Sequence, residues 1–223
     1  MVNEIIDYTK LTITATENDI KELIDTAIEK NCASVCIPPA YVKFGKEYAN
    51  GRMKICTVIG FPNGYNTTET KIFETQDAID NGADEIDMVI NLGWVKDKKF
   101  ANIYEEVEKL ASLTHKNNKI LKVIVETCQL DTDEVKKMCE IVATSGADFI
   151  KTSTGFSTNG AEVDVVKIMK EEMDKWNEDE RLKQIYPMRD RIKIKASGGI
   201  RTLEAAETFK NIGSDRIGCS KVF

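Results

Sequence analysis

Histidine is nearly missing from this chain: among 223 residues there is one, His115. A zinc site would therefore need cysteines or carboxylates for nearly all its ligands. No such cluster appears along the sequence, so neither a metal nor another cofactor is expected. An excess of positive charge is also missing. The net charge of −6 argues against a broad nucleic-acid surface. No apolar run approaches the roughly 20 residues that cross a bilayer. The opening residues, Met1-Val2-Asn3-Glu4-Ile5-Ile6-Asp7, are acidic and lack a secretory core. The six cysteines, at 32, 36, 56, 128, 139 and 219, form no C-x-x-C pair. Most sit in apolar patterns, as free buried thiols do. A cytoplasmic protein without membrane or nucleic-acid partners is the expectation.

What is present is a regular alternation. Short apolar segments at Ile5–Asp7, Ser34–Pro38, Lys54–Gly60, Glu85–Asn91, Leu121–Glu126, Phe149–Thr152, Lys193–Ala196 and Arg216–Gly218 read as strands. Amphipathic stretches at Glu17–Lys30, Ala40–Asn50, Thr68–Asn81, Phe100–Asn117, Asp131–Ser145, Glu162–Trp176 and Thr202–Asn211 read as helices. Such alternation predicts a parallel α/β architecture. A weak repeat, Asn81-Gly82-Ala83-Asp84, Ser145-Gly146-Ala147-Asp148 and Ile212-Gly213-Ser214-Asp215, with a poorer copy at Asn31-Cys32-Ala33-Ser34, recurs before every second strand. It favours a closed (β/α)8 TIM barrel, one domain over 1–223, with an open doubly wound sheet as the alternative. The charged segment Asp174–Arg191 breaks the rhythm and reads as a helix extension plus a surface loop. Few residues follow the eighth strand, which suggests that another surface, such as a second copy in a homodimer, covers the last barrel face.

Two lysines stand out because each lies in an apolar strand: Lys151 in Asp148-Phe149-Ile150-Lys151-Thr152-Ser153-Thr154-Gly155-Phe156, and Lys195 in Ile192-Lys193-Ile194-Lys195-Ala196-Ser197-Gly198-Gly199-Ile200-Arg201. A buried ammonium is costly unless it is paired or neutral. Two of them a few ångströms apart repel, so one tends to lose its proton and becomes a nucleophile toward carbonyls. Taken alone, Lys151 reads equally well as a snorkelling or phosphate-binding lysine; the second lysine favours Schiff-base chemistry. Asp87, on the fourth strand, is placed to move protons near the amine, or merely to pair with it. Lys122 and Glu126, on the fifth strand, read as parts of a charge network. The turn Ser197-Gly198-Gly199-Ile200-Arg201-Thr202 opens a helix and suggests an anion site, with Arg201 adding charge and Gly218-Cys219-Ser220 lying after the next strand. Thr152 and Gly155 join these as substrate or phosphate contacts. Asp7 and Thr9 end the first strand, within reach of a sugar hydroxyl. Cys36 reads as packing rather than as a nucleophile, since nothing basic adjoins it in sequence.

Taken together, Phe149–Phe156, Lys193–Arg201, Glu85–Asn91, Leu121–Thr127, Ile6–Thr9 and Arg216–Ser220 resemble the deoxyribose-phosphate aldolases, in consistent order from about residue 4 to residue 220. The resemblance implies a metal-free class I aldolase on a (β/α)8 barrel that interconverts 2-deoxy-D-ribose 5-phosphate with D-glyceraldehyde 3-phosphate and acetaldehyde. It implies Lys151 as the imine-forming residue, Lys195 as its electrostatic neighbour, Asp87 in proton transfer, and phosphate contacts from Gly198, Gly199, Gly218 and Ser220. Three departures accompany it. Tyr8 stands where the family usually has histidine, Asp174–Arg191 is long, and Lys221-Val222-Phe223 carries no tail tyrosine of the kind implicated in proton relay in some members. Another lysine-dependent aldolase and a non-catalytic phosphosugar-binding barrel are the alternative functions.

Overall fold

The computed structural model describes residues 1–187 and 189–223. Eight parallel strands, β1 (Ile6–Thr9), β2 (Ser34–Ile37), β3 (Ile55–Ile59), β4 (Glu85–Val89), β5 (Ile120–Ile124), β6 (Phe149–Lys151), β7 (Lys193–Ser197) and β8 (Arg216–Cys219), close on themselves in sequence order. Closure is made by β1 against β8, with Ile6 opposite Ile217 and Asp7 opposite Gly218. The closed barrel thus holds, and the open sheet is set aside. β2, β3 and β4 are buried along their whole length, as parallel strands covered on both faces must be.

Around the barrel run α1 (Glu17–Glu29), α2 (Val42–Ala49), α3 (Thr68–Asp80), α4 (Leu92–Lys96), α5 (Phe100–Lys116), α6 (Thr132–Thr144), α7 (Val163–Asn177), α8 (Glu180–Ile185) and α9 (Leu203–Asn211). α1 shows the rule: Ile20, Leu23, Ile24 and Ala27 form one buried stripe, and Thr16 with Asp19 makes a reciprocal cap. Two short helices escaped the sequence pattern. The fourth strand was expected to reach Asn91, but it stops at Val89. Asn91 instead accepts the Trp94 N–H at 3.3 Å and starts α4.

The expected helix extension and loop at 174–191 is α7 running to Asn177, followed by α8. Met188, within that segment, lies outside the described residues. The insertion has a structural task. Tyr186 donates its hydroxyl to Thr144 O at 2.8 Å, and the Arg189 guanidinium donates to Ala143 O and Ala147 O, each at 3.1 Å. Ala143 and Thr144 lie in the last turn of α6, where helix carbonyls lack helical partners, and Ala147 follows the turn after it.

The repeat before alternate strands acts as a clip. Gly82, Gly146 and Gly213 all take positive φ, and Asn31 takes it in the poorer copy. The aspartate two residues after each glycine then grips the start of the preceding strand. Asp84, Asp148 and Asp215 accept from the N–H of Ile55, Leu121 and Ile194 through their side chains and return their own N–H to the same residues' carbonyls. Each carboxylate also meets a base: Lys46, His115 or Arg191.

The sole histidine is therefore a strut of the barrel floor, with Nε2 2.9 Å from the Asp148 carboxylate. That hydrogen bond raises the imidazole above its ordinary value near 6.5, against the opposing effect of burial. A folded-state value above the unfolded one gives stability that is complete below pH 6.5 and fades as pH rises through the folded value. His115→Gln should thus lower the melting temperature more at pH 5.5 than at pH 9, a difference readable by calorimetry.

Candidate active site

Alternation along parallel strands sends Asp7, Glu85, Asp87, Lys122, Lys151, Lys195 and Arg216 into the barrel interior, where they form one array. Lys151 and Lys195 are register partners on β6 and β7, and Asp87 and Lys122 are partners on β4 and β5. The ammoniums of Lys151 and Lys195 both reach Oδ2 of Asp87, at 2.8 and 2.7 Å, while Lys122 reaches Oδ1 at 2.8 Å. Lys122 also meets Glu85 at 2.7 Å, and Lys195 meets Asp7 at 2.5 Å. Arg216 closes the floor by bridging Asp7 and Glu85.

Electrostatics sorts these groups. Burial alone would raise the Asp87 carboxyl, but the three ammoniums outweigh it and hold the group well below the usual carboxylate range. Burial would likewise strip Lys122 and Lys195 of their protons. Asp87 outweighs it for Lys122, and Asp7 with Asp87 for Lys195, so both are pushed above the ordinary lysine value. They are fixed cations. Lys151 differs in geometry: among the described residues its one carboxylate contact is Asp87, and it lines a cavity of about 300 Å³ at the barrel mouth.

That cavity runs from Thr9, Leu11 and Thr12 past Lys151 to Thr154, Gly155 and Phe156, then to Ser197–Arg201 and Gly218–Lys221. Its size lies at the lower end of the range for small-molecule sites. Gly198 and Gly199 both have positive φ, 83° and 76°, a turn that bends backbone N–H groups toward an anion. Against expectation, the following helix does not present its own N-terminus there. Thr202 caps α9 by accepting the Ala205 N–H at 3.1 Å, and the turn upstream faces the cavity instead. Gly160, which sequence reading passed over, locks this turn: a Cβ there would lie 2.1 Å from Gly198 O.

The family comparisons agree with this geometry. Residues 5–217 match the model of the DeoC/LacD family aldolases. The chain belongs to this aldolase family. It is 49% identical over 217 residues to a deoxyribose-phosphate aldolase of Clostridioides difficile (strain 630), covering 97% of this chain and 91% of that one. It is 48% identical to one from Streptococcus pyogenes serotype M4 (strain MGAS10750), covering 97% and 90%. Among solved structures, the tetrameric deoxyribose phosphate aldolase of Aeropyrum pernix superposes with a TM-score of 0.87 at 29% identity, covering 98% of this chain and 86% of that one.

Within this family member, the expected site residues divide. Lys151, Gly155, Gly198, Gly199, Arg201, Gly218, Ser220 and Thr9 line the cavity. Asp7 was expected near a sugar hydroxyl. It lies instead below the mouth, fully buried, receiving Ser34, Lys195 and Arg216. Its neighbouring cations drive the carboxyl down despite burial. Thr152 was expected to contact substrate, but it is buried as a strut: it donates to Ser197 O at 3.1 Å and accepts from Ser197 N at 3.0 Å.

Cys36 packs in a small buried cluster with Cys56 and Val58, as the residue pattern implied. It is also the register partner of Cys56, whose thiol lowers the Cys36 thiol against burial, with Lys195 and Lys151 acting in the same sense. Cys36, Cys56 and Asp87 form a potential donor cluster, drawn from three strands, that no linear spacing announces. Asp87 is already shared by three ammoniums, so a divalent cation would enter against their charge and lose that ligand. The cluster does not fit a metal.

Removing one member of a buried ion array leaves its partners unpaired, at a cost of about 3–5 kcal/mol. Lys122→Met should destabilise the aldolase by about that much in urea unfolding, because Glu85 and Asp87 each lose a close cation.

Proposed function

We propose that this chain reversibly cleaves 2-deoxy-D-ribose 5-phosphate to D-glyceraldehyde 3-phosphate and acetaldehyde, by way of an imine on Lys151. The observation that carries the reading is the asymmetry of the lysines. Two are held as buried cations, while Lys151 has one carboxylate contact and opens on a cavity with a glycine turn at its far end. A fixed cation beside an amine favours the amine's neutral, nucleophilic form.

In the cleavage direction, the Lys151 amine adds to C1 of the open-chain sugar and the carbinolamine loses water to give an iminium. The C3 hydroxyl then gives up its proton, the C2–C3 bond breaks, and its electrons pass into the iminium to form an enamine. D-glyceraldehyde 3-phosphate departs. Protonation of the enamine at C2 and hydrolysis release acetaldehyde and restore the amine. Asp87, so strongly ion-paired, is a weak base. Its role in this scheme is to relay protons to and from the substrate held on Lys151 rather than to store one. Gly198, Gly199, Gly218, Ser220 and Arg201 are assigned to the phosphate, with Gly155 beside them. The phosphosugar and acetaldehyde are the small-molecule partners, a catabolic role follows from the cleavage direction, and no cofactor enters the scheme. Free thiols support a cytoplasmic setting. A homodimer is the proposed assembly, checked by light scattering after size exclusion.

Incubation with acetaldehyde followed by borohydride should leave a reduced two-carbon adduct on Lys151, found by peptide mass spectrometry. An adduct elsewhere, or full activity in Lys151→Leu, counts against the assignment. Faster cleavage of a hexose phosphate or a keto acid would point to another lysine aldolase. Lys195→Leu should lower activity and move the pH optimum to the alkaline side, since the neighbouring cation is gone; an unchanged pH profile overturns that role for Lys195.

A further inference from the structure

Glu126 takes part in no step of this scheme, yet its placement is unusual. It follows β5 with φ 53° and ψ 63°, a left-handed conformation uncommon for glutamate. Its side chain is buried and is not among the residues lining the cavity. Both carboxyl oxygens instead face Thr154, the residue after Ser153 at the exit of β6. Oε2 accepts the Thr154 hydroxyl at 2.5 Å, and the Thr154 N–H lies 3.3 Å from each oxygen. The Thr154 hydroxyl in turn accepts the Phe156 N–H at 3.1 Å.

Gly155 is thereby bracketed by one polar chain running from Glu126 through Thr154 to Phe156. A Cβ on Gly155 would lie 3.8 Å from the Cα of Gly198, so this turn rests directly on the glycine turn assigned to the phosphate. Gly160 anchors the other end of the same loop, with Ala161 N donating to Ser197 O at 3.0 Å and Gly198 O at 3.1 Å. Burial raises the Glu126 carboxyl, and the bonds from Thr154 only partly offset this. The group is tied to its place by Thr154.

We propose that Glu126 is a positioning residue: by clasping Thr154 it sets the distance between the Gly155 turn and the Gly198 turn, and so tunes the cavity for the phosphate end of its substrate. The proposal rests on the aldolase reading. The strained backbone belongs to the device, because the left-handed turn at 126 swings the carboxyl back across the β6 exit rather than along its own loop.

The test is a kinetic comparison on two substrates, 2-deoxyribose 5-phosphate and unphosphorylated 2-deoxyribose, for Glu126→Ala, Glu126→Gln, Thr154→Val and the Ala/Val double variant. Loss of a charge-assisted hydrogen bond corresponds to about tenfold in binding. Glu126→Ala and Thr154→Val should each raise KM for the phosphorylated sugar about that much, with little change in kcat. Because Thr154→Val also loses the Phe156 bond, the double variant should be no worse than Thr154→Val alone. Glu126→Gln, which still accepts from Thr154, should recover most of the affinity, and KM for the unphosphorylated sugar should hardly move. Thr154→Val, which nearly keeps the side-chain volume, decides the matter where Glu126→Ala does not fold. Equal losses on both substrates, additive effects in the double variant, or an unchanged KM overturn the proposal. Wild-type turnover is the control. Without cleavage of the phosphorylated sugar the aldolase reading falls and this proposal with it, whereas normal wild-type cleavage with unaffected variants removes the proposal alone.

Discussion

One carboxylate organises the interior of this barrel. Asp87 accepts from three lysines on three different strands, and its charge offsets much of the cost of holding those ammoniums in the core. The arrangement reaches outward from there. Lys122 ties Asp87 to Glu85, Lys195 ties it to Asp7, and Arg216 joins Asp7 to Glu85 at the floor. Strands that are distant in sequence are thus joined by charge as well as by their backbone ladders, and the apolar ring between strands and helices surrounds a polar centre.

That centre is not balanced. Lys122, Lys151, Lys195 and Arg216 face Asp7, Glu85 and Asp87, four cationic side chains in direct contact with three carboxylates. Pairing is thinnest where the cavity opens, at Lys151. Lys122 and Lys195 each bridge more than one carboxylate and lie deeper. In the proposed scheme, the same buried field that holds two lysines as cations leaves the third as the imine-forming amine.

Much of this was visible in the residues. A lysine in an apolar strand is conspicuous because desolvating it is costly, so Lys151 and Lys195 could be picked out before any fold was known. The Gly198-Gly199 turn was equally open to reading, since two consecutive positive φ values demand glycine. The clip residues Asp84, Asp148 and Asp215 announced a repeat but not its purpose, because the strand each one grips begins some 21 to 29 residues earlier. Glu85 and Arg216 sit at strand starts and look like surface charges until closure turns them inward. Asp7 looked like a mouth residue because its strand was drawn too short: β1 continues to Thr9, which takes the mouth position and leaves Asp7 below. Glu126 was read as part of the charge network, but its partner is Thr154; that contact, Gly160 and the pairing of Cys36 with Cys56 had no linear signature, since each depends on a neighbour from another strand or loop.

The sequence by itself determined the alternation of strands and helices, the glycine and aspartate of each clip, the presence of lysines where only a paired or neutral amine is tolerated, and the resemblance that ran through the motifs. These are local properties, set by burial period, φ preference and the cost of a charge in an apolar strand. Only the folded barrel decided which lysine opens on the cavity, which carboxylate each cation meets, and how the β6 exit is held against the Gly198-Gly199 turn. Those outcomes depend on the register and closure of eight strands, and a shift of one residue in any of them would turn its inward side chains outward.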